Sequence, residues 1–206
     1  MVKNILAIGA HPDDIEFGCA GTLLQYRKAG DKIFALIVTR GEKVSDPTIR
    51  EQECRNALSR IGAEILEFLD YRDTEIPSPH QTHKIVEKIE FYIERIRPDI
   101  IFSHSPNDSH HDHRAVFECT KIATRNVPTV LLYETLSALS PFKPQYFVNI
   151  ENEISNKKEV IGLYITQAGR GFINQKIDAI ETVAKFRGNQ IGLKFAEGFE
   201  VLKMIQ

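Results

Sequence analysis

The 206-residue chain is predicted to be an α/β protein, a Rossmann-like three-layer sandwich with a mostly parallel sheet. Three observations predict it. Short, uninterrupted apolar runs alternate with longer segments of helical periodicity. The runs are apolar throughout rather than at every second residue, which marks strands covered on both faces. No composition shift, repeat or linker divides the sequence, so residues 1–206 read as one domain.

The elements follow in order. NILAIGA is a buried strand, and after a turn at HPDD the run FGCAGTLLQYRKAG is a helix closed by Gly30. KIFALIVT is the second strand. Thr48 to Ile61 is a helix with apolar Ile49, Cys54, Ala57, Leu58 and Ile61, closed by Gly62. EILEFL is the third strand, and HQTHKIVEKIEFYIERIRP is an amphipathic helix stopped by Pro98. DIIFSHS is the fourth strand, PNDSHHDH a loop and RAVFECTKIATRN a helix. TVLLYE and QYFVNI are the fifth and sixth strands, followed by helical patterns over 154–168 and 173–186. The segment after Tyr133 is less regular and is expected to shape one side of a pocket.

Composition excludes several classes. A hydrophobic content of 42% and a charged content of 26% describe an ordinary globule. A net charge of −2 and a pI of about 6.4 give no basic face for nucleic acid or an anionic membrane. Cys19, Cys54 and Cys119 are isolated, so neither a disulfide framework nor a cysteine zinc site is expected, which suits a cytoplasmic location. The start is too short and too charged for a signal peptide, and no window approaches the ~20 apolar residues of a membrane span.

In a doubly wound sheet of order 3-2-1-4-5, ligands bind beyond the strand ends at the reversal between strands one and four. HPDD follows strand one, and PNDSHHDH follows strand four. Four of the seven histidines, His104, His110, His111 and His113, fall at the end of strand four and in its loop, beside Asp108 and Asp112. Histidine and carboxylate drawn from two loops are the ligand chemistry of a catalytic zinc with one open position. His11, Asp14 and His113 would fill that role, which leaves Asp13 to face the bound water. The bland alternative for HPDD is a solvated turn with an aspartate cap.

These motifs, AHPDD, TRGE (Thr39–Glu42), TIREQE (Thr48–Glu53) and NDSHHDHR (Asn107–Arg114), resemble the PIG-L/LmbE family of zinc-dependent N-acetylglucosaminyl deacetylases, best over residues 1–125. The resemblance implies His11, Asp14 and His113 as metal ligands and Asp13 as general base. It implies His110 as the histidine that stabilises the oxyanion, Asp112 as the carboxylate that orients a neighbouring histidine, and Arg50 as a substrate contact. It also implies an N-acetylated amino sugar or sugar conjugate as substrate, and a homo-oligomer, trimer or hexamer among the forms. The proton for the leaving amine would come from Asp13 or His110. Fe(II) or another divalent ion suits the same donors. His111 stands where relatives often have proline, and YITQ (Tyr164–Gln167) matches a C-terminal motif only in part.

Other residues have plainer readings. His104 ends a strand, and His80 and His83 start a solvated helix. Cys19 is a small buried hydrophobe, and Arg50 with Glu53 forms a surface pair unless Arg50 meets substrate. Asp73 is a turn residue or reaches the pocket rim. Two other activities compete: an amidase acting on a larger amide of a sugar–thiol conjugate, and a non-catalytic metal-binding module.

Overall fold

The computed structural model describes residues 1–168 and 172–205. The chain runs β1 (Asn4–Gly9), α1 (Asp14–Lys28), β2 (Lys32–Thr39), α2 (Pro47–Ile61), β3 (Ala63–Tyr71), α3 (Pro79–Ile96), β4 (Ile100–His104) and α4 (His111–Ala123). It continues β5 (Thr129–Tyr133), β6 (Tyr146–Asn149), α5 (Ile154–Ile161), α6 (Ile165–Ala168), α7 (Phe172–Gln190) and β7 (Ala196–Met204). The strands form one seven-stranded sheet in the order β3-β2-β1-β4-β5-β7-β6. The first five in that order are parallel, and β7 runs antiparallel to both β5 and β6. None of the described helices is long and apolar enough to cross a membrane.

β1 shows how the sequence makes three layers. Ile5, Leu6, Ala7 and Ile8 are all fully buried. Side chains alternate across a strand, so the run feeds two cores at once. Ile5 and Ala7 pack with Leu23, Cys54 and Leu58 from α1 and α2. Leu6 and Ile8 pack with Ile85, Ile89 and Val116 from α3 and α4. A strand with an exposed face would alternate with polar residues, and this one has none.

The structure departs from the sequence reading at four places. α1 and α4 each begin three residues earlier than expected, at Asp14 and His111. Acidic side chains in the first turn, Asp14 and Glu16 in α1 and Asp112 in α4, suit the positive end of a helix. Asp14, Asp112 and His113 therefore lie on first helical turns, while His11 and Asp13 stay in the turn after β1. The pattern over 154–168 divides into α5 and α6 around Gly162. β7 was not expected at all. Its sequence AEGFEVLKM mixes glycine and charge with apolar residues, yet it is an interior strand.

α1 is broken at Cys19, whose φ of −146° is not helical. A break leaves backbone groups without partners, and such groups must be satisfied when buried. The β7 carboxylate of Glu197 does this, accepting from the backbone N–H of Gly21 at 2.9 Å and of Thr22 at 2.7 Å. Lys157 of α5 donates to the Phe17 carbonyl at 2.7 Å and pairs with Glu197. Both charges are buried. Just before the break, Gly18 lies against Tyr133, where a Cβ would stand 2.3 Å from the ring.

Removing one partner of a buried ion pair strands the other. Glu197→Ala is expected to destabilise the protein by ~3–5 kcal/mol, measured by urea unfolding. A loss within error of zero would show that the pair does not hold the broken helix.

Candidate active site

The site stands at the carboxyl ends of β1 and β4, adjacent strands in the sheet. The turn after β1 carries His11 and Asp13, and Asp14 opens α1. Asp13 is the N-cap with φ +105°, a left-handed conformation that costs a non-glycine residue of order 1–3 kcal/mol. His110 caps α4, and Asp112 and His113 occupy its first turn.

Asp14 is the centre of the cluster. Its Oδ2 lies 3.3 Å from His11 Nδ1 and 3.2 Å from His104 Nε2, and its Oδ1 lies 3.2 Å from His113 Nε2. Among the described residues, three overlapping groups could each hold an ion: His11, His110 and His113; Asp14, His104 and His113; His11, Asp73 and Asp112. The donor set and spacing fit a metal. Two ligand atoms bonded at ~2.0–2.1 Å to a tetrahedral ion are about 3.3–3.4 Å apart.

Each imidazole that faces Asp14 from the turn and from α4 is held on its other side by carboxylates. His11 Nε2 lies 3.2 Å from Asp73 and 3.3 Å from Asp112. His113 Nδ1 lies 2.9 Å from Asp108. Asp112 Oδ2 also accepts the Thr74 backbone N–H at 2.7 Å. This is the arrangement that fixes ring orientation and tautomer in metal sites.

The field of the cluster moves its protons. Burial alone would raise the Asp14 carboxyl, but the His113 and His104 rings outweigh it and hold it well below its ordinary value. Burial pushes Asp13 up, with the Arg50 guanidinium pulling against it. Burial opposes charge on His113, yet Asp14 and Asp108 raise it to about 9. His104 is pushed down to about 4 by burial and by the His113 charge beside it. His110 is lowered by burial and then by His113 and His11.

The structure brings every sequence-predicted site residue to one place. Arg50 is buried, donates Nη2 to the Pro12 carbonyl and lies 3.2 Å from Asp13. Its Nε and Nη1 have no hydrogen-bond partner among the described residues. The expected surface pair with Glu53 is instead buried. Glu53 accepts from the N–H and hydroxyl of Thr166, both at 2.6 Å. His111 is exposed and reaches the Thr74 carbonyl at 3.2 Å. His80 and His83 are exposed and Cys19 is buried, as expected, and Gln167 of YITQ lies outside the residues whose side chains are described.

Three residues had escaped a firm role. His104 does more than end β4: its Nε2 takes the Ala10 N–H at 3.0 Å and approaches Asp14. A histidine at the carboxyl end of a central strand was the available signal. Asp73 faces His11 from the loop after β3, and its distance in sequence gives no sign of it, whereas Asp108 faces His113 from five residues away in the same β4–α4 connection. His11, Asp13, Arg50, Asp73, His110 and Lys176 line an open cleft of about 850 Å³.

Comparison with known proteins places the chain among deacetylase-like relatives. Residues 6–124 match the family described as PIG-L, GlcNAc-PI de-N-acetylase. The chain is 36% identical over 157 residues to an uncharacterized deacetylase, YaiS, of Escherichia coli K12, covering 73% of this chain and 84% of that protein. It is 25% identical over 222 residues to the diacetylchitobiose deacetylase of Thermococcus kodakarensis, covering 96% and 82%. The N,N'-diacetylchitobiose deacetylase structure from Pyrococcus horikoshii shares the fold with a TM-score of 0.83 at 24% identity, over 97% of this chain and 84% of that one.

A ligand that binds only the folded state stabilises it. Zinc at 100 times its Kd is expected to add about 2.7 kcal/mol, seen as a raised Tm that a chelator reverses. Asp14→Ala should abolish the shift. A wild-type Tm indifferent to zinc would remove the metal from the site.

Proposed function

The chain belongs to the PIG-L family, and on that premise we propose that it is a metal-dependent hydrolase removing acetyl from an N-acetylated amino sugar or sugar conjugate. The observation that carries the reading is Asp14 set between His11 and His113, with the Asp13 carboxylate beside it in the same cleft. The names of the relatives support the substrate class.

His11, Asp14 and His113 would hold the ion, with zinc the expected metal. A divalent cation there supplies Lewis acidity, lowering the pKa of water toward ~7 and polarising a carbonyl. The protein's own residues do the rest. Asp13 accepts the proton of the water that attacks the acetyl carbon. Its left-handed backbone turns it away from the capping position, since its side chain makes no cap bond. Arg50 and Lys176, at 3.2 and 3.8 Å, hold that carboxylate in the cleft.

His110 Nδ1 accepts the Asp112 backbone N–H, so the ring carries its proton on Nε2. That N–H donates to the carbonyl oxygen as it becomes negative. Asp13, now protonated, gives its proton to the departing amine. The general acid is therefore assigned to Asp13, because His110 has committed its second nitrogen as an acceptor. Arg50 lines the cleft, and its planar fork suits a sugar hydroxyl or carboxylate.

The test is acetate release from N,N'-diacetylchitobiose and from N-acetylglucosamine conjugates, with and without chelator. Asp13→Asn should retain the metal and lose about 10²–10⁴ in kcat, the usual contribution of a positioned acid–base group. Full activity in that variant would overturn the base assignment. Absence of chelator-sensitive release from every N-acetyl sugar would overturn the function.

A further inference from the structure

We propose that Asp108 is the positioning residue of His113, and that Thr135 and Ser137 set the affinity of the metal site through it. The inference rests on the metal reading above.

Asp108 is buried, and its two oxygens take four donors. Oδ2 receives His113 Nδ1 at 2.9 Å and the Thr135 hydroxyl at 2.5 Å. Oδ1 receives the Ser137 hydroxyl at 2.7 Å and the His110 backbone N–H at 2.8 Å. A carboxylate has about four lone-pair sites, so this one is saturated and cannot rotate. An acceptor at Nδ1 puts the proton there and leaves the Nε2 lone pair for a metal. That Nε2 is the atom 3.2 Å from Asp14.

The loop after β5 holds the carboxylate from behind. Ser109 N–H donates to the Ser137 carbonyl at 2.9 Å, and Leu139 N–H to the Asn107 carbonyl at 2.8 Å. Asp108 and Ala138 form a β-bridge. Next to Thr135, Glu134 takes Arg187 of α7 through two bonds, at 2.8 and 2.6 Å. Thr135 and Ser137 lie beyond the residues 6–124 that match the family. Part of the control over the metal site is thus written outside the segment that carries the motifs.

The test is zinc(II) and cobalt(II) affinity of the full chain, by competition with a chromophoric chelator, with the visible spectrum of the cobalt form. Asp108→Ala should weaken binding 10- to 100-fold, the usual effect of losing such a partner, and alter the cobalt band. Asp108→Asn should recover part of the loss, because its amide oxygen still accepts from Nδ1. Thr135→Val should weaken binding less. Ser103→Ala, which removes the buried Ser103–Thr120 bond, should change nothing. If Asp108→Ala does not fold, Thr135→Val carries the comparison. Wild-type affinity and an unchanged band in the Asp108 and Thr135 variants would overturn the inference while leaving the metal reading intact. A wild type that binds neither ion would overturn both.

Discussion

The contact on which the rest depends is the buried carboxylate of Asp14 among three imidazoles. A carboxylate out of water is costly unless opposite charge or hydrogen bonds meet it. His11 comes from the turn after β1, His104 from the end of β4 and His113 from the start of α4. One charge is therefore met from the turn after β1 and from the start of α4, with the His104 ring of β4 packed beside it, and the β1–β4 pairing brings these segments together. The left-handed Asp13 belongs to the same turn, which sets two successive aspartates against different partners, Arg50 and the imidazoles.

Outside that contact, the structure is arranged to keep the rings still. Asp73 and Asp112 stand against the far nitrogen of His11, and Asp108 stands against that of His113. Behind them are backbone and hydroxyl groups of Thr74, Thr135 and Ser137. The loops after β3 and β5 thus act on the site without reaching its centre. A cluster held by packed, hydrogen-bonded supports keeps its geometry without ordering anything first.

The sequence made the strand–helix alternation and both motifs legible because each is local. NILAIGA declares a doubly buried strand without reference to anything else, and HPDD and NDSHHDH declare themselves by residue type. Arg50 and Glu53 were different: their helical spacing reads as a surface pair, and only the fold shows α2 turning that face toward Pro12 and Thr166. His104 was visible but ambiguous, because a strand end and a cluster member look alike in one dimension. β7 is hard to read because AEGFEVLKM has neither an unbroken apolar run nor a clean alternation. Its Glu197 is buried to meet backbone groups of α1 some 175 residues away.

That distance matters for the order in which the molecule is made. β7 lies between β5 and β6, so the sheet has a gap until the final strand is inserted. A chain emerging from its N-terminus can form β1 to β5 early. The break in α1 at Cys19, a few residues from Asp14, waits for a carboxylate that lies some 175 residues further along the chain. Long-range pairing of this kind is slow and leaves strand edges exposed meanwhile. The nascent protein therefore passes through a stage in which both motifs exist as sequence and the helix carrying the first remains unfinished.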